Sequence, residues 1–311
     1  MDKRREREAL KHVFGNYAAT AEERERPDFR IVHSNLKHGV EVTEMYPSLI
    51  DAKLQNLGEY TSGLLDGTQP LHRADREKLR IETISLVHED GTKIDDVRAI
   101  FQPTPTHVEK FTALLGKLAE KSRKFFSYRA ECDVVDLVIW DRGSLFGNEQ
   151  DFEPIHIAPT ETRREIVGSP FREIFLLTRS PAPSKYFFYP LRANIFLADA
   201  LLVDHTFLEV GREFQEDLRL HVLCECLRRM GHPIALSLEP DGSSVHTPGW
   251  QLLISGMDVN MREWTTYGRA QPSMDLSVNA DTKVIEMADC ILARCGEHRC
   301  STTVALASRA T

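Results

Sequence analysis

Two acidic residues, Asp28 and Glu41, lie in a segment whose pattern predicts a β-hairpin. Residues 28–32 and 39–45 alternate as short strands do, and a polar turn separates them. Two carboxylates that a hairpin brings together repel each other and resist burial, so they are poor structural material. They are good ligands for a hard divalent cation, which prefers oxygen atoms. We therefore predict that Asp28 and Glu41 bind Mg²⁺ or Mn²⁺, with the backbone carbonyl of Val42 as a third ligand.

The alternation of side chains along the second strand separates Glu41 from its apolar neighbours. Val40 and Val42 share one face and are expected in the core, whereas Glu41 and Thr43 share the other face. A metal beside Glu41 would polarise a phosphodiester, lower the pKa of a bound water and neutralise charge that grows on the phosphate. Phosphate ester hydrolysis is among the slowest uncatalysed reactions and needs such help. The pattern therefore favours metal-dependent hydrolysis of phosphodiester bonds.

A resemblance to a known family rests on the same hairpin. Residues 26–29 followed by residues 39–44 (Arg-Pro-Asp-Phe and Gly-Val-Glu-Val-Thr-Glu) resemble the PD-(D/E)xK nuclease superfamily, in particular uncharacterised bacterial members. The resemblance covers roughly the first 140 to 180 residues. It implies a mixed-sheet core with the element order αβββαβ, Asp28 and Glu41 as metal ligands, and nucleic acid, favouring DNA, as the substrate.

The resemblance also implies a glutamate on the first helix that completes the acidic cluster. Glu6 shares a helical face with Leu10, Val13 and Tyr17, and Glu8 is the alternative. Either side chain would add an oxygen ligand to the metal that Asp28 and Glu41 bind.

One position departs from the superfamily pattern. The third motif residue is a lysine thought to orient the attacking water, and this chain has Thr43 there. A threonine hydroxyl can hydrogen-bond a water but carries no positive charge. Some superfamily members carry the lysine on the following helix, which makes Lys53 a second candidate for placing the water and Gln55 a third.

A basic and aromatic segment follows at residues 117–129. Lys121, Arg123 and Lys124 could contact a nucleic-acid backbone, and the neighbouring aromatic residues could stack on bases. The alternative is the solvated end of an amphipathic helix, where cations favour the C-terminal dipole.

Composition limits the classes of protein to be considered. The chain has 311 residues, and 39 basic against 47 acidic side chains give a net charge of −8, which counts mildly against a nucleic-acid partner. Local patches matter more than this total. The sequence shows no secretory signal, no apolar run long enough to span a membrane and no disulfide framework, so we expect a cytoplasmic protein that does not bind membranes. A homodimer or an unidentified protein partner is compatible with the sequence.

The predicted fold class is α/β, with a mixed central sheet flanked by helices. We expect a restriction-endonuclease-like core over residues 1–205 and an α+β extension of unknown role over residues 206–311. The predicted strands are 28–32, 39–45, 80–87, 134–140, 174–177, 186–189, 194–197 and a hairpin of 234–239 with 250–255. The predicted helices are 3–23, one that opens at 47, one capped at Thr106, 211–230 and 282–296.

Two other interpretations remain open. The missing lysine and the acidic balance favour a catalytically inactive binding or scaffold protein of the same fold. Cys290, Cys295, His298 and Cys300 near the C-terminus, with Cys224 and Cys226 upstream, could form a zinc-binding module, although their spacing is irregular.

Overall fold

The chain divides into two compact units in a computed structural model. One unit comprises Met1–Glu44 and Leu114–Thr311, and the other comprises Met45–Ala113. The boundary predicted near residue 205 falls inside a helix, Leu191–Val210. The structure describes residues 2–33, 36–73, 75–76, 78–147, 161–179, 186–210, 218–239, 242–247, 249–255, 258–263, 281–298 and 308–309.

Helices and strands alternate along most of the described chain. The helices are α1 Lys3–Phe14, α2 Leu49–Asn56, α3 Gly58–Asp66, α4 His107–Ser122, α5 Phe125–Arg129, α6 Glu161–Val167, α7 Leu191–Val210, α8 Arg219–Arg229 and α9 Thr282–His298. The strands are β1 Glu22–Glu23, β2 Phe29–His33, β3 Leu36–Met45, β4 Arg80–Val87, β5 Lys93–Phe101, β6 Val134–Asp141, β7 Ile174–Arg179, β8 Tyr186–Pro190, β9 Ala235–Glu239, β10 Gly242–Thr247, β11 Trp250–Ser255, β12 Asp258–Glu263 and β13 Ser308–Arg309.

The central sheet of the larger unit is mixed. Its strand order is β1-β2-β3-β6-β7-β8-β13. The β2–β3 and β7–β8 pairs are antiparallel, whereas β6 and β7 are parallel. Helices cover this sheet, so β6 is buried along nearly its whole length, as its continuous apolar sequence predicts. The predicted α/β class with a mixed central sheet is therefore confirmed.

One face of the central sheet packs against α1. The apolar residues of this layer come from α1, β2, β3, β6 and β7: Ala9, Leu10, Phe14, Phe29, Ile31, Val40, Val42, Val138, Trp140, Phe175 and Leu177. Val40 and Val42 therefore face the core as predicted. Burial of this apolar layer stabilises the hairpin that carries Asp28 and Glu41.

The first helix is shorter than its sequence predicts. Asp2 caps its N-terminus by accepting the N–H of Arg5 at 2.9 Å. Gly15 ends it with a φ of 55°, a left-handed conformation that glycine adopts at little cost. A 3-10 turn, Gly15–Thr20, and the short strand β1 take up the rest of the predicted helix.

The strand predicted at residues 80–87 forms, but it does not join the central sheet. It is β4 and pairs with β5 in a separate two-stranded sheet of the smaller unit. Alternation in a sequence shows that a segment is extended but does not identify its partner strand.

Residues 194–197, predicted as a strand, lie within α7. This helix is buried on nearly all sides, so its sequence shows a continuous apolar run instead of a helical period. A short apolar run of this kind does not distinguish a buried strand from a buried helix.

The C-terminal part of the larger unit contains a second sheet with the order β12-β11-β10-β9. The predicted hairpin of 234–239 with 250–255 is wrong, because β10 lies between these strands and pairs with both. Val245 of β10 lies opposite Leu236 and Leu252, and all three join a core with α7, α8 and α9. The last helix is confirmed as α9, while residues 211–217 of the predicted helix 211–230 lie outside the described residues.

Candidate functional site

Asp28 lies immediately before β2, next to the point where the hairpin pairs Phe29 with Val40. Its side chain is 13% exposed, and its Oδ2 accepts the N–H of Val42 at 2.9 Å. The antiparallel register therefore holds the Asp28 carboxylate beside the stretch of β3 that contains Glu41. The contact with Val42 uses its N–H, and the metal contact of its carbonyl stays a prediction.

Glu41 is almost completely buried, with 5% of its surface exposed. Its Oε1 accepts hydrogen bonds from Lys121 Nζ at 2.7 Å and from Tyr128 Oη at 3.0 Å. Its Oε2 is buried and has no hydrogen-bond partner among the described residues. An unsatisfied carboxylate oxygen at this depth is costly, so Glu41 is an unusual residue for a purely structural position.

Burial is the main cause of a raised pKa at Glu41, and the negative charge of Asp28 raises the pKa further. Lys121 and Tyr128 act in the opposite direction without cancelling the increase. A neighbouring like charge disfavours the ionised form, so Asp28 makes the Glu41 carboxyl harder to ionise. Burial and the neighbouring Glu41 also raise the pKa of the Tyr128 phenol, so Tyr128 is a hydrogen-bond donor at neutral pH.

Lys3 connects Asp28 to α1. Its Nζ lies 2.7 Å from Glu6 Oε2 and 3.0 Å from Asp28 Oδ1, and it donates to the carbonyl of Arg24 at 2.9 Å. Burial raises the pKa of Glu6, and the charge of Asp28 adds to this increase against the effect of Lys3. Glu6 and Asp28 are therefore linked by their contacts with Lys3. Glu8, the alternative metal ligand on α1, is exposed and lies 3.9 Å from His12.

The cation beside Glu41 is not one of the residues that the sequence predicts to place the attacking water. Thr43 is buried on β3 at 7% exposure, on the same side of the strand as Glu41. Lys53 lies on α2 in the smaller unit, where its Nζ is 3.5 Å from Asp75 Oδ1. The ammonium group that contacts Glu41 belongs to Lys121 of α4.

The three basic residues predicted to contact nucleic acid differ in their placement. The side chain of Lys121 is 13% exposed and turns inward to Glu41. Arg123 is exposed, and Lys124 is exposed with its Nζ 3.2 Å from Glu120 Oε1. Arg123 and Lys124 therefore remain available at the surface, and Lys121 belongs to the acidic site.

Lys121 and Tyr128 are the residues whose place in the site the sequence interpretation missed. A signal for them exists in the spacing of the buried positions on α4 and α5, which are Leu114, Leu118, Phe125 and Tyr128. Lys121 falls on the same stripe, because steps of three and four residues keep one helical face. A lysine on an apolar stripe needs an anionic partner, and Glu41 supplies it.

The C-terminal cysteines that the structure describes form no recognisable metal site. Cys290 is exposed, whereas Cys295 is buried with its Sγ 3.5 Å from Thr206 Oγ1. Cys300 lies outside the described residues. Among the residues that are described, no three His, Cys, Asp or Glu side chains form a group that could hold a metal ion.

The acidic residues do not form such a group in the described structure either, but their oxygen atoms are of the type that a hard cation prefers. In the described part of the chain, the carboxylates of Glu6, Asp28 and Glu41 pair with the ammonium groups of Lys3 and Lys121. Glu41 Oε2 is an acceptor without a donor in the described chain. Oxygen atoms with unbalanced negative charge are the ligands that Mg²⁺ and Mn²⁺ prefer.

Comparisons with known proteins leave this site as the main guide to function. No protein-family model, no curated protein and no solved structure matches the chain. Over the described residues, no helix combines the length and the apolar character needed to cross a membrane.

Proposed function

We propose that the protein is a metal-dependent nuclease that hydrolyses phosphodiester bonds, with DNA as its substrate. The observation that carries the proposal is the pair formed by Asp28 and Glu41 across the β2–β3 hairpin. Glu41 is buried, is held by Lys121 and Tyr128 through one oxygen, and keeps its other oxygen without a partner in the described structure. Perturbed carboxylates of this kind are concentrated at functional sites.

The element order supports a restriction-endonuclease-like core. Helix α1 precedes the antiparallel strands β1, β2 and β3, and α4 precedes β6, which lies next to β3 in the sheet. Apart from the unit Met45–Ala113 and the short helix α5, this is the αβββαβ order that the resemblance implies. The short strand β1 supplies the first β element.

Asp28 and Glu41 would hold Mg²⁺ or Mn²⁺, with Glu6 and the Val42 carbonyl as further oxygen donors. When bound, the ion supplies Lewis-acid chemistry at the phosphate and lowers the pKa of a water molecule. Lys3 neutralises part of the charge of Glu6 and Asp28, so an ion that binds there would compete with Lys3 for both carboxylates.

Lys121 would supply the positive charge that Thr43 lacks. Its Nζ is 2.7 Å from Glu41 Oε1, so it is fixed beside the acids and can stabilise negative charge on a phosphate or orient a water. The Tyr128 hydroxyl holds Glu41 in place, and the Thr43 hydroxyl offers a neutral hydrogen bond on the same strand face. Lys53, the other proposed water-positioning residue, lies in the smaller unit.

Arg123 and Lys124 would contact the phosphate backbone of the substrate. Both are exposed near the junction of α4 and α5, which directly follows Lys121. Salt-sensitive contacts with phosphates would position the strand without reading its sequence.

The test is cleavage of plasmid and linear DNA with Mn²⁺ by the full-length protein and by Glu41→Gln. This substitution keeps the size of the side chain but removes its charge, and we expect a loss of at least ~100-fold in rate. Glu6→Gln and Glu8→Gln form a matched pair on α1, and only Glu6→Gln should slow the reaction. Cleavage by Glu41→Gln at the wild-type rate would refute the assignment.

A specific observation favours a second candidate, a catalytically inactive protein of the same fold. Lys3 and Lys121 already neutralise much of the acidic charge, as they would in a site that has lost its metal. Calorimetric titration with Mn²⁺ separates the two functions. An active nuclease binds the ion and loses it in Asp28→Ala, whereas the inactive protein gives no binding heat in either form.

A further inference from the structure

The short helix α5 is fixed to the acidic site on its inner side. The Tyr128 phenol donates to Glu41 Oε1 at 3.0 Å, and the Tyr128 side chain is buried. Phe125 is also buried and packs edge-to-face on Phe171, with 5.2 Å between the ring centroids. These contacts hold the backbone of α5 in place, so the residues on its outer side stand on a fixed support.

Phe126 lies on the outer side of α5 and faces solvent. It is 86% exposed, which makes it the most exposed large apolar residue in the described part of the chain. Residues two positions apart do not share a helical face, so Phe126 points away from Tyr128. Its ring makes an edge contact with Phe125, at 6.4 Å between centroids, and is otherwise largely in solvent. The face of the ring is therefore available to a ligand.

Cationic side chains surround this ring. Arg123 and Lys124 form the turn before α5, and Arg129 lies three residues after Phe126 on the same side of the helix. All three are exposed. Lys124 lies 3.2 Å from Glu120, whereas neither arginine forms an ion pair with another described residue. The two guanidinium groups therefore carry positive charge that the described chain leaves unbalanced.

The surroundings of Phe126 favour a nucleic acid over a protein partner. Protein interaction sites group several exposed apolar side chains, whereas Phe126 stands alone among cations and small residues in α5 and the turn before it. Residues 117–131 contain five basic and two acidic side chains, a local charge of +3 in a chain whose net charge is −8. An aromatic face beside cations binds a nucleic-acid strand, because bases stack on the ring and the cations contact phosphates.

A paired duplex does not offer a base to Phe126. The faces of its bases are stacked on one another, so a base must leave the stack before an aromatic side chain can lie against it. A single strand has unstacked bases and meets this condition without a cost in pairing. An α-helix is roughly 10–12 Å across with its side chains, so a strand on the outer side of α5 lies about one helix width from Glu41 on its inner side.

We propose that the substrate strand is single-stranded DNA, with one of its bases stacked on Phe126 and its phosphates in contact with Arg123 and Arg129. The proposal rests on the proposed nuclease function, because it names the form of DNA that reaches the acidic site. Stacking supplies affinity without reading the sequence, since every base has a face that can lie on the ring.

The test measures binding of a fluorescein-labelled oligothymidine to the full-length protein by fluorescence anisotropy. EDTA is present, so that no metal-dependent cleavage takes place during the measurement. The wild type should bind this single strand more tightly than a duplex of the same length. Phe126→Ala should weaken single-strand binding at least ~5-fold, because the stacked base loses its platform. Circular dichroism should show that the variant is folded, since the ring is exposed.

Two further substitutions at the same position separate stacking from a general apolar contact. Phe126→Leu keeps an apolar side chain but removes the aromatic face, and it should weaken binding about as much as Phe126→Ala. Phe126→Trp retains an aromatic face and should bind at least as tightly as the wild type. Wild-type affinity in Phe126→Leu would show that the ring does not act by stacking.

The salt dependence tests the contacts with phosphates. Arg129→Met should lower the slope of log affinity against log salt concentration by about 0.7, the value for one phosphate contact with a single strand. Phe126→Ala should leave the slope unchanged, because stacking on an uncharged ring releases no counterions. Arg80→Met is the matched control, since Arg80 is an exposed arginine of the smaller unit.

Equal binding of the single strand and the duplex by the wild type would overturn the proposal, and so would wild-type affinity in Phe126→Ala. These results are distinct from failure of the nuclease function, because binding is measured without metal. DNA cleavage that Glu41→Gln abolishes, together with unchanged binding by Phe126→Ala, would refute the stacking role alone. Single-strand binding that depends on Phe126, in a protein that cleaves no DNA, would refute the nuclease function alone.

Discussion

The Nζ atom of Lys121 lies 2.7 Å from Oε1 of Glu41, although the two residues are 80 positions apart in the chain. The contact joins α4 to the centre of β3. Lys121 therefore places a fixed positive charge beside the Glu41 carboxylate. The strand that carries Glu41 has Thr43 at the position where the nuclease pattern has a lysine. The acidic site thus combines a pair of carboxylates from a hairpin with a cation from a distant helix.

Lys121→Met should reduce DNA cleavage by about 10²–10³-fold with Mn²⁺, because a preorganised charge beside the reacting phosphate is lost. Lys121→Arg should retain part of the rate, since the positive charge stays. Single-turnover rates at saturating protein measure the effect. Lys117→Met is the control, because Lys117 lies on the same helix and pairs with Glu120 at 3.2 Å. Equal rates for Lys121→Met and Lys117→Met would contradict the role given to Lys121.

Lys3→Met should strengthen Mn²⁺ binding by about fivefold, because a partly exposed ion pair that competes with the metal contributes at most ~1 kcal/mol. Lys3 contacts both Glu6 and Asp28, so its removal frees two carboxylates. Isothermal titration calorimetry measures the change. Arg4→Met removes the same charge from an exposed neighbour and should leave the affinity unchanged. Weaker binding by Lys3→Met would indicate that the lysine holds the site together.

Asp136→Asn should lower the free energy of unfolding by about 3–5 kcal/mol at neutral pH, because a buried cation loses its partner. Asp136 is fully buried, accepts from Arg172 Nε at 2.7 Å and lies 2.8 Å from His38 Nε2. Burial alone would raise its pKa, but Arg172 and His38 outweigh burial and hold the pKa below the ordinary 3.8.

The pH dependence of this effect has a definite sign. A depressed pKa stabilises the folded state above the ordinary value of 3.8, and this contribution is lost as the pH falls through the lower folded value. The difference between wild type and Asp136→Asn in urea unfolding should therefore shrink below pH 3.8. Asp133→Asn is the control, because Asp133 is exposed and accepts only the N–H of Lys37 at 2.8 Å among its described contacts. A constant difference between pH 7 and pH 3 would rule out the ionic contribution.

Glu173→Ala should lower the free energy of unfolding of the larger unit by at least ~2 kcal/mol, since several N–H donors lose their acceptor. The buried Glu173 carboxylate accepts the N–H groups of Arg192 at 2.8 Å and Ala193 at 3.1 Å, which caps α7. It also accepts Trp250 Nε1 at 2.6 Å. Tryptophan fluorescence and far-UV circular dichroism measure the change. Glu161→Ala, at an exposed position, should have almost no effect.

Local patterns in the sequence predict the parts of the fold that local physics determines. The hairpin at Asp28 and Glu41 follows from strand alternation around a polar turn, and the register confirms that it forms. The helix cap predicted at Thr106 also forms, since Thr106 Oγ1 accepts the N–H of Glu109 at 3.3 Å and Glu109 Oε2 accepts the N–H of Thr106 at 2.8 Å. Both features depend on residues that are near one another in the chain.

Long-range pairing accounts for the features that the sequence did not predict. β10 lies between β9 and β11 because strand order depends on partners that no local pattern identifies. Residues 194–197 resemble a strand in the sequence, because α7 is buried on nearly all sides and its sequence therefore lacks a helical period. A lysine on an apolar stripe must pair with an acid in another element, and no local pattern identifies Glu41 as the partner of Lys121.

The larger unit is interrupted in the chain after Glu44 and resumes at Leu114. The strand before this gap carries Glu41, and the helix after it carries Lys121. The residues of the smaller unit are therefore inserted in the chain between the strand that carries Glu41 and the part of α4 that carries Lys121. Their presence leaves unchanged the order of the elements that bear the acids and their lysine.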